Sequence, residues 1–303
     1  MPDTPPTVSV CMPVFNGEPY VREAAESILS QTFGDFEFII IDDGSSDGSR
    51  AVLEELARRD ARIRLISRPN TGYTRALNEA LGLARGTYIA RMDADDVSLP
   101  QRFHRQVDYL RDHPDCVLVG TRVMTVDPYG IPLYEPDQRP GHEEIEQELL
   151  NGVGWAVVHP TAMMVREQVT ALGGYRPEAE PSESLDLFLR LAERGHLANL
   201  PVVLLHYRQH VRSVNQTRGD QQDAVARAVL ADAHRRRGTT WTAGWPTPER
   251  EVRPIRKEID MWTSVAIRTG HLAVARRHAL SLLRIAPFSL NSWRLMYCAI
   301  RGR

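Results

Sequence analysis

Residues 88–96 read Tyr88-Ile89-Ala90-Arg91-Met92-Asp93-Ala94-Asp95-Asp96, an apolar run that ends in three carboxylates within four positions. Short apolar runs bounded by polar turns mark buried strands, so a strand is expected from Thr87 to Met92 with the acids at its carboxyl end. The same punctuation recurs upstream. Val8 to Met12 is an apolar run closed by Pro13, Glu18 to Ser30 carries apolar residues at helical spacing, and Phe36 to Ile41 runs into Asp42-Asp43-Gly44-Ser45. The pattern then predicts a helix from Ser49 to Arg59, a strand from Ile63 to Ser67 and a helix from Thr74 to Ala84. Strands alternating with helices of ~10 residues build a mostly parallel sheet covered by helices on both faces. Ligands of such sheets bind beyond the carboxyl ends of the strands. The turns Pro13 to Gly17, Asp42 to Gly48 and Asp93 to Asp96 are therefore expected to meet along one edge.

Downstream the pattern changes. A helix from Gln101 to Arg111 and a strand from Cys116 to Gly120 precede a loop-rich stretch, Thr121 to Gly154, punctuated by Pro128, Pro132, Pro136 and Pro140. A strand from Ala162 to Val165, an amphipathic helix from Leu185 to Arg194 stopped by Gly195, and a strand from Val202 to His206 follow. After Asn215 the chain reads as helical, with a Pro/Gly/Trp-rich break from Gly238 to Pro254. Gly270-His271 and Pro287 divide the last segment, Ile255 to Arg303, into three helical pieces. The expected organisation is an α/β domain over 1–218, with a binding half (1–100) and a second half (101–218), then a helical extension over 219–303.

The 303 residues carry a net charge of −2, which offers no field to gather nucleic acid. Lys257 is the only lysine. Cys11, Cys116 and Cys298 lie far apart, which argues against a disulfide framework or a zinc site and fits a reducing compartment. The start, Met1-Pro2-Asp3-Thr4-Pro5-Pro6, lacks the basic and apolar regions of a signal peptide, and there is no run of ~18 apolar residues. The expected location is cytoplasmic, or peripheral at the inner face of a membrane. Trp293, Leu295, Met296 and Ile300 among Arg294, Arg301 and Arg303 suit either an anionic membrane surface or a helical hairpin packed on the rest of the chain or on a second copy.

Two acidic turns carry the chemistry. Asp42-Asp43-Gly44-Ser45 places carboxylates where a base or ribose hydroxyl could be bound, and it equally suits an Asx-turn leading into the next helix. The carboxylates of Asp93-Ala94-Asp95-Asp96 repel one another unless a cation compensates them, and hard oxygen ligands of this kind suit Mg2+ or Mn2+ bridging to a diphosphate. An exposed acidic turn before the next helix and a phosphatase-type D-x-D-x nucleophile are the other readings. The second usually needs a downstream lysine, and Lys257 in the helical tail is poorly placed for it. Neither G-x-G-x-x-G nor G-x-x-x-x-G-K-[ST] occurs.

Val8 to Asn16 (VSVCMPVFN), Ile41 to Ser45 (IDDGS), Asn70 to Asn78 (NTGYTRALN), Tyr88 to Asp96 (YIARMDADD) and Gly173 to Tyr175 (GGY) together resemble the inverting glycosyltransferases of family 2, across about the first 215 residues. The resemblance implies a GT-A fold: a Rossmann-like nucleotide-sugar-binding half, an acceptor half, and here a helical appendage outside the family pattern. It implies a nucleotide-sugar donor, a UDP-sugar first, a glycan or lipid-linked acceptor, Mn2+ or Mg2+ as cofactor, and a role in polysaccharide or glycolipid synthesis. Carried over residue by residue, it sets Pro13, Phe15 and Asn16 against the base, Asp43 on base or ribose, and Arg75 near the nucleotide. Asp93 is then expected on ribose or metal, Asp95 on the metal, His210 of Tyr207-Arg208-Gln209-His210 near metal or diphosphate, and Trp155 and His159 on the acceptor side.

Inversion also needs a base for the acceptor hydroxyl. The family supplies an aspartate in an E-D-x-D-L-type motif, whereas this chain reads Glu183-Ser184-Leu185-Asp186-Leu187, with Ser184 at the base position. A serine cannot serve near neutral pH. The expected substitute is Glu183, in the loop ahead of the helix, with Asp186 as the other flanking acid; the alternative is a catalytically impaired nucleotide-sugar-binding or scaffold protein. A second departure is Val211-Arg212 where the family often has Pro-Gly.

Overall fold

The computed structural model describes residues 4–211, 219–241 and 255–302. Arg212 lies outside them, as does most of the break expected before Pro254. The described chain forms two compact units. The first comprises Met1–Met124, Glu135–Tyr207 and Asp220–Pro246, and the second Thr125–Tyr134, Arg208–Gly219 and Thr247–Arg303. The expected boundary stands near residue 218. The helix after that point belongs to the first unit, and the hairpin around Pro128 belongs with the C-terminal helices.

Four strands set up the site: β1 (Val8–Val14), β2 (Phe36–Asp42), β3 (Ile63–Ser67) and β4 (Tyr88–Arg91). They pair in parallel in the order β3-β2-β1-β4, with Val14 opposite Asp42, Asp42 opposite Ser67 and Cys11 opposite Arg91. Their carboxyl ends consequently share one edge. Beyond β4 the sheet continues through β8 (Met163–Val165), β6 (Cys116–Val126), β9 (His196–Arg208) and β5 (Val97–Ser98), with β7 (Pro132–Tyr134) paired to β6. The β4–β8, β8–β6 and β9–β5 pairings are antiparallel. The sheet is thus parallel in its first half and mixed overall.

Alternation along the strands explains the layers. Val8, Val10, Met12 and Val14 of β1 and Phe36, Phe38 and Ile40 of β2 enter one core cluster, while Cys11, Ile39 and Ile41 enter the other. Side chains of successive strand residues point to opposite faces, so runs that are apolar throughout demand cover on both sides. Helices α1 (Val21–Leu29), α2 (Ser49–Arg59) and α4 (Arg102–Asp112) cover the first face through Ala24, Ala25, Ile28, Leu53, Leu56, Phe103 and Val107. Helices α3 (Tyr73–Leu83), α5 (His142–Leu150), α7 (Glu183–Ala192) and α8 (Gly219–Arg236) cover the second through Ala76, Leu77, Ile145, Leu149, Leu187 and Leu230; a short α6 (Arg166–Ala171) follows β8. Helix α5 lies inside the stretch that the prolines mark as loop, and β6 and β9 run longer than expected.

In the second unit, α9 (Ile255–Arg268), α10 (Leu272–Ile285) and α11 (Leu290–Arg301) form the three expected pieces. Ile259, Trp262, Leu282 and Leu295 make one small core, and Ala266, Ala275, Ala279 and Ala299 another. Asp127 is wholly buried at the tip of the β6–β7 hairpin. Its Oδ1 accepts from the amides of Tyr129 and Ile131 (2.8 Å each), and its Oδ2 lies 2.7 Å from His278 Nε2 on α10. That bond ties the hairpin to the helices.

Candidate active site

Three loops meet at the shared strand edge, as their positions after β1, β2 and β4 require. Asn16 adopts a left-handed conformation (φ 52°), which asparagine tolerates better than most residues. Its amide donates to Ser45 Oγ (3.0 Å), its Oδ1 accepts from the Ser46 amide (2.8 Å), and the Gly17 amide donates to Ser49 Oγ (2.9 Å). A side chain at Gly17 would meet Ala94 Cβ at 3.5 Å, so the acidic turn closes on the same edge. Pro13 is buried in β1, Phe15 is exposed beside this edge, and Arg75 is exposed on α3.

Asp43 is buried. It accepts from the amides of Thr71 (2.9 Å) and Gly72 (3.0 Å), and it pairs with Arg68, which also reaches Glu79. Its carboxylate therefore shapes the loop that opens α3.

Asp93, Asp95 and Asp96 each bring a carboxylate oxygen within 4.8 Å of the others. Behind them lie two buried guanidinium groups. Arg91 is 1% exposed, pairs with Asp93 Oδ1 at 2.5 Å, and has its charge 5.4 Å from the centre of the Tyr73 ring. Arg102 donates to the Arg91 carbonyl (2.8 Å). Burial and the neighbouring Arg91 push the Arg102 pKa down to about 9, while Asp96 opposes that shift. The protein thus supplies part of the compensation that the clustered acids need. Clustered hard oxygen donors of this kind fit Mg2+ or Mn2+. Sequence reasoning missed Arg91. Its only signal was a charged residue inside an otherwise apolar strand.

The opposite wall comes from α7 and the turn at His159–Thr161. The Asn78 amide clasps Tyr175, donating to its carbonyl (2.7 Å) and accepting from its N–H (2.9 Å). Gly174 must be glycine: its φ is 72°, and a Cβ would lie 2.7 Å from Asn78 Oδ1. The N-x-G segment and the G-G-Y turn are therefore one structural unit. It holds the Tyr175 hydroxyl 2.8 Å from His159 Nε2. Burial and then Arg91 hold the His159 pKa well below its usual value, so its ring is neutral. Glu183 Oε1 stands 4.0 Å from His159 Nδ1. Glu183 is itself buried, which raises its pKa to about 7; Glu180 and Asp93 push the same way, and Arg91 and a backbone amide pull it back.

The model for "Glycosyl transferase family 2" matches residues 9–172, more than half of the chain. The chain belongs to glycosyltransferase family 2. It is 30% identical over 242 residues to an uncharacterized glycosyltransferase of Haemophilus influenzae, covering 74% of this chain and 72% of that protein. To the O-antigen biosynthesis glycosyltransferase WbnJ of Escherichia coli it is 33% identical over 214 residues, covering 69% and 82%. Among solved structures, S. aureus TarS (residues 1–349) in complex with UDP superposes with a TM-score of 0.56 at 17% identity, covering 98% of this chain and 92% of that one. The mannosyltransferase PcManGT of Pyrobaculum calidifontis, in complex with GDP-Man and Mn2+, gives 0.55 at 19%, covering 99% and 86%. The fold is GT-A.

Within this glycosyltransferase the acids around Ser184 have separate fates. Glu183 is the first residue of α7 rather than part of the loop before it. Asp186 is buried, with its Oδ2 held by Arg190 Nε (2.9 Å) and Nη2 (2.6 Å) and its Oδ1 facing Arg176 (3.4 Å). Arg190 also donates to the carbonyls of Leu172 and Gly174 (3.0 and 2.8 Å). Asp186 therefore anchors the G-G-Y turn to α7. Breaking a buried pair by removing one partner costs about 3–5 kcal/mol, so Asp186→Ala is expected to lower the unfolding free energy measured by urea denaturation by that order. Ser184 is partly exposed on the first turn of α7. Trp155 packs edge-on against Tyr207 with ring centres 5.1 Å apart, and His210 is half-buried in the second unit just after β9.

Proposed function

We propose that this glycosyltransferase moves a sugar from a nucleoside diphosphate donor, a UDP-sugar first, to an acceptor hydroxyl with inversion, in the assembly of a cell-surface polysaccharide or related glycan. The observation that carries the reading is the acidic cluster at the carboxyl edge of the parallel strands, its three carboxylate oxygens within 4.8 Å of one another. The O-antigen role in the name of the E. coli relative and the nucleotides in the complexes of TarS and PcManGT support the choice of chemistry.

Asp93 and Asp95 would hold Mn2+ or Mg2+, with Asp96 beside them. When bound, the ion supplies Lewis-acid stabilisation of the leaving diphosphate. Arg91 pairs with Asp93 and orients its carboxylate, and Phe15 offers an apolar surface to the base. Glu183 takes the hydroxyl proton, since its pKa of about 7 matches that task at neutral pH. Trp155 and His159 line the acceptor side.

The test is incubation with UDP-, GDP- and dTDP-sugars and Mn2+, following release of the nucleoside diphosphate and the anomeric configuration of the product by NMR. Release from at least one donor, abolished by EDTA, is the expected result; metal-independent release or a retained configuration overturns the corresponding part. A second reading has its own observation. The resemblance sets Ser184 where the family has its base, and Glu183 is only 6% exposed. A non-catalytic nucleotide-sugar binder would give calorimetric binding of a nucleoside diphosphate with no turnover on any donor.

A further inference from the structure

The second unit presents an apolar face among its outermost residues. Leu290, Trp293, Tyr297 and Ile300 recur at i, i+3, i+7 and i+10 along α11, which places them on one stripe. All four are exposed, Leu290 by 89%, and Phe288 in the preceding turn is 99% exposed. The helix packs on its neighbours through its other side, where Ser292, Leu295 and Ala299 are buried. Arg294 and Arg301 flank the stripe, Arg301 lying 5.5 Å from the centre of the Tyr297 ring, and Leu280, Arg276, Arg277 and Arg284 are exposed on α10, with Arg276 reaching the Ala299 carbonyl of α11 (3.1 Å). The charge is segregated as well. Residues 255–303 hold nine arginines and lysines against two carboxylates, a net +7, which leaves −9 on residues 1–254.

A contiguous exposed apolar patch is an interaction site, and the charge selects the partner. A second copy meeting this face across a two-fold axis would set +7 against +7, a like-charge juxtaposition that disfavours association. An anionic bilayer offers both things the face lacks: a hydrocarbon boundary for Phe288, Leu290 and Ile300, and phosphate charge for the arginines around them. Tyr297, an apolar ring with a polar handle, suits the headgroup level, and Trp293, whose N–H is held by the Pro287 carbonyl (2.7 Å), adds apolar ring area. No described helix is long and apolar enough to cross a membrane, so the contact is peripheral.

We propose that α11 and the turn before it, with the arginines of α10, seat the second unit on an anionic phospholipid surface. In flotation assays at physiological salt, the protein binds vesicles containing phosphatidylglycerol and leaves phosphatidylcholine vesicles unbound. Removing one surface arginine lowers partitioning about fivefold, so Arg294→Gln and Arg301→Gln each have that effect and flatten the salt dependence. The double variant Phe288→Ser, Leu290→Ser lowers partitioning at least tenfold. Its thermal unfolding is unchanged, because neither side chain is buried. Equal binding to both lipids, binding to neither, or full binding by a variant that melts like the wild type overturns the proposal. So does a dimer in sedimentation equilibrium that the Phe288→Ser, Leu290→Ser protein no longer forms.

Discussion

Asp95→Asn is expected to lower kcat/KM about a thousandfold while leaving the fold intact. Lewis-acid stabilisation of a leaving diphosphate is worth several kcal/mol, and each 1.36 kcal/mol lost from the barrier is about tenfold in rate. Asp95 is the cleaner probe of the acidic cluster. Asp93 also neutralises the buried Arg91 at 2.5 Å, so its removal mixes loss of a ligand with an uncompensated guanidinium. Asp96 is buried beside Arg102, whose pKa it helps to hold up. Calorimetric titration with Mn2+ in the presence of a nucleoside diphosphate should weaken at least tenfold for Asp95→Asn, with an unfolding midpoint close to the wild type. Unchanged Mn2+ affinity, or a wild-type rate that survives EDTA, would refute the assignment.

What could be read in the sequence is what depends on local pattern. Strand ends and helix breaks are written in short apolar runs and in Pro, Gly and Asp punctuation, so β1 to β4, α2 and the three C-terminal helices fall within a residue or two of expectation. The loop edge followed from topology, because parallel strands in register must end together. The rest depends on contacts distant in the chain. Helix α5 is framed by prolines and glycines, and its apolar content reduces to Ile145, Leu149 and Leu150. The second unit gathers Thr125–Tyr134 through the buried bond between Asp127 and His278, 151 residues apart. Asp186 read as a candidate base because its neighbour Ser184 was anomalous. Only the fold reveals Arg190 closing on it from the next turn and Arg176 from the G-G-Y side. The role of Arg91 was equally hidden, since a lone arginine in a strand says nothing of which acids surround it.

Glu183→Gln is expected to lower kcat about 10²–10⁴-fold, the usual contribution of a positioned general base, and its pH behaviour separates that role from a structural one. Burial raises the pKa of Glu183 from 4.5 to about 7. An acid whose pKa is higher in the folded state binds a proton on folding between the two values. Its contribution to stability is complete below pH 4.5, declines as pH rises and is lost above about 7. Measured in EDTA, so that no bound metal alters the local charge, unfolding free energy should fall by about 3 kcal/mol across that window. Glu183→Gln, which cannot ionise, should flatten the decline. In the wild type, activity should rise over the same interval as the carboxylate forms, so stability and turnover move in opposite directions with pH. That opposition is expected of a buried base, whereas a glutamate that only packs against His159 would leave the rate profile untouched. Ser184→Asp completes the separation. Successive helical residues point about 100° apart, so an aspartate at 184 cannot occupy the place of the Glu183 carboxyl. With Glu183 acting, the Ser184→Asp protein should stay within tenfold of the wild-type rate. A gain of a hundredfold or more, with Glu183→Gln nearly silent, would instead mean that the base position lies at 184 and that the natural chain is impaired there.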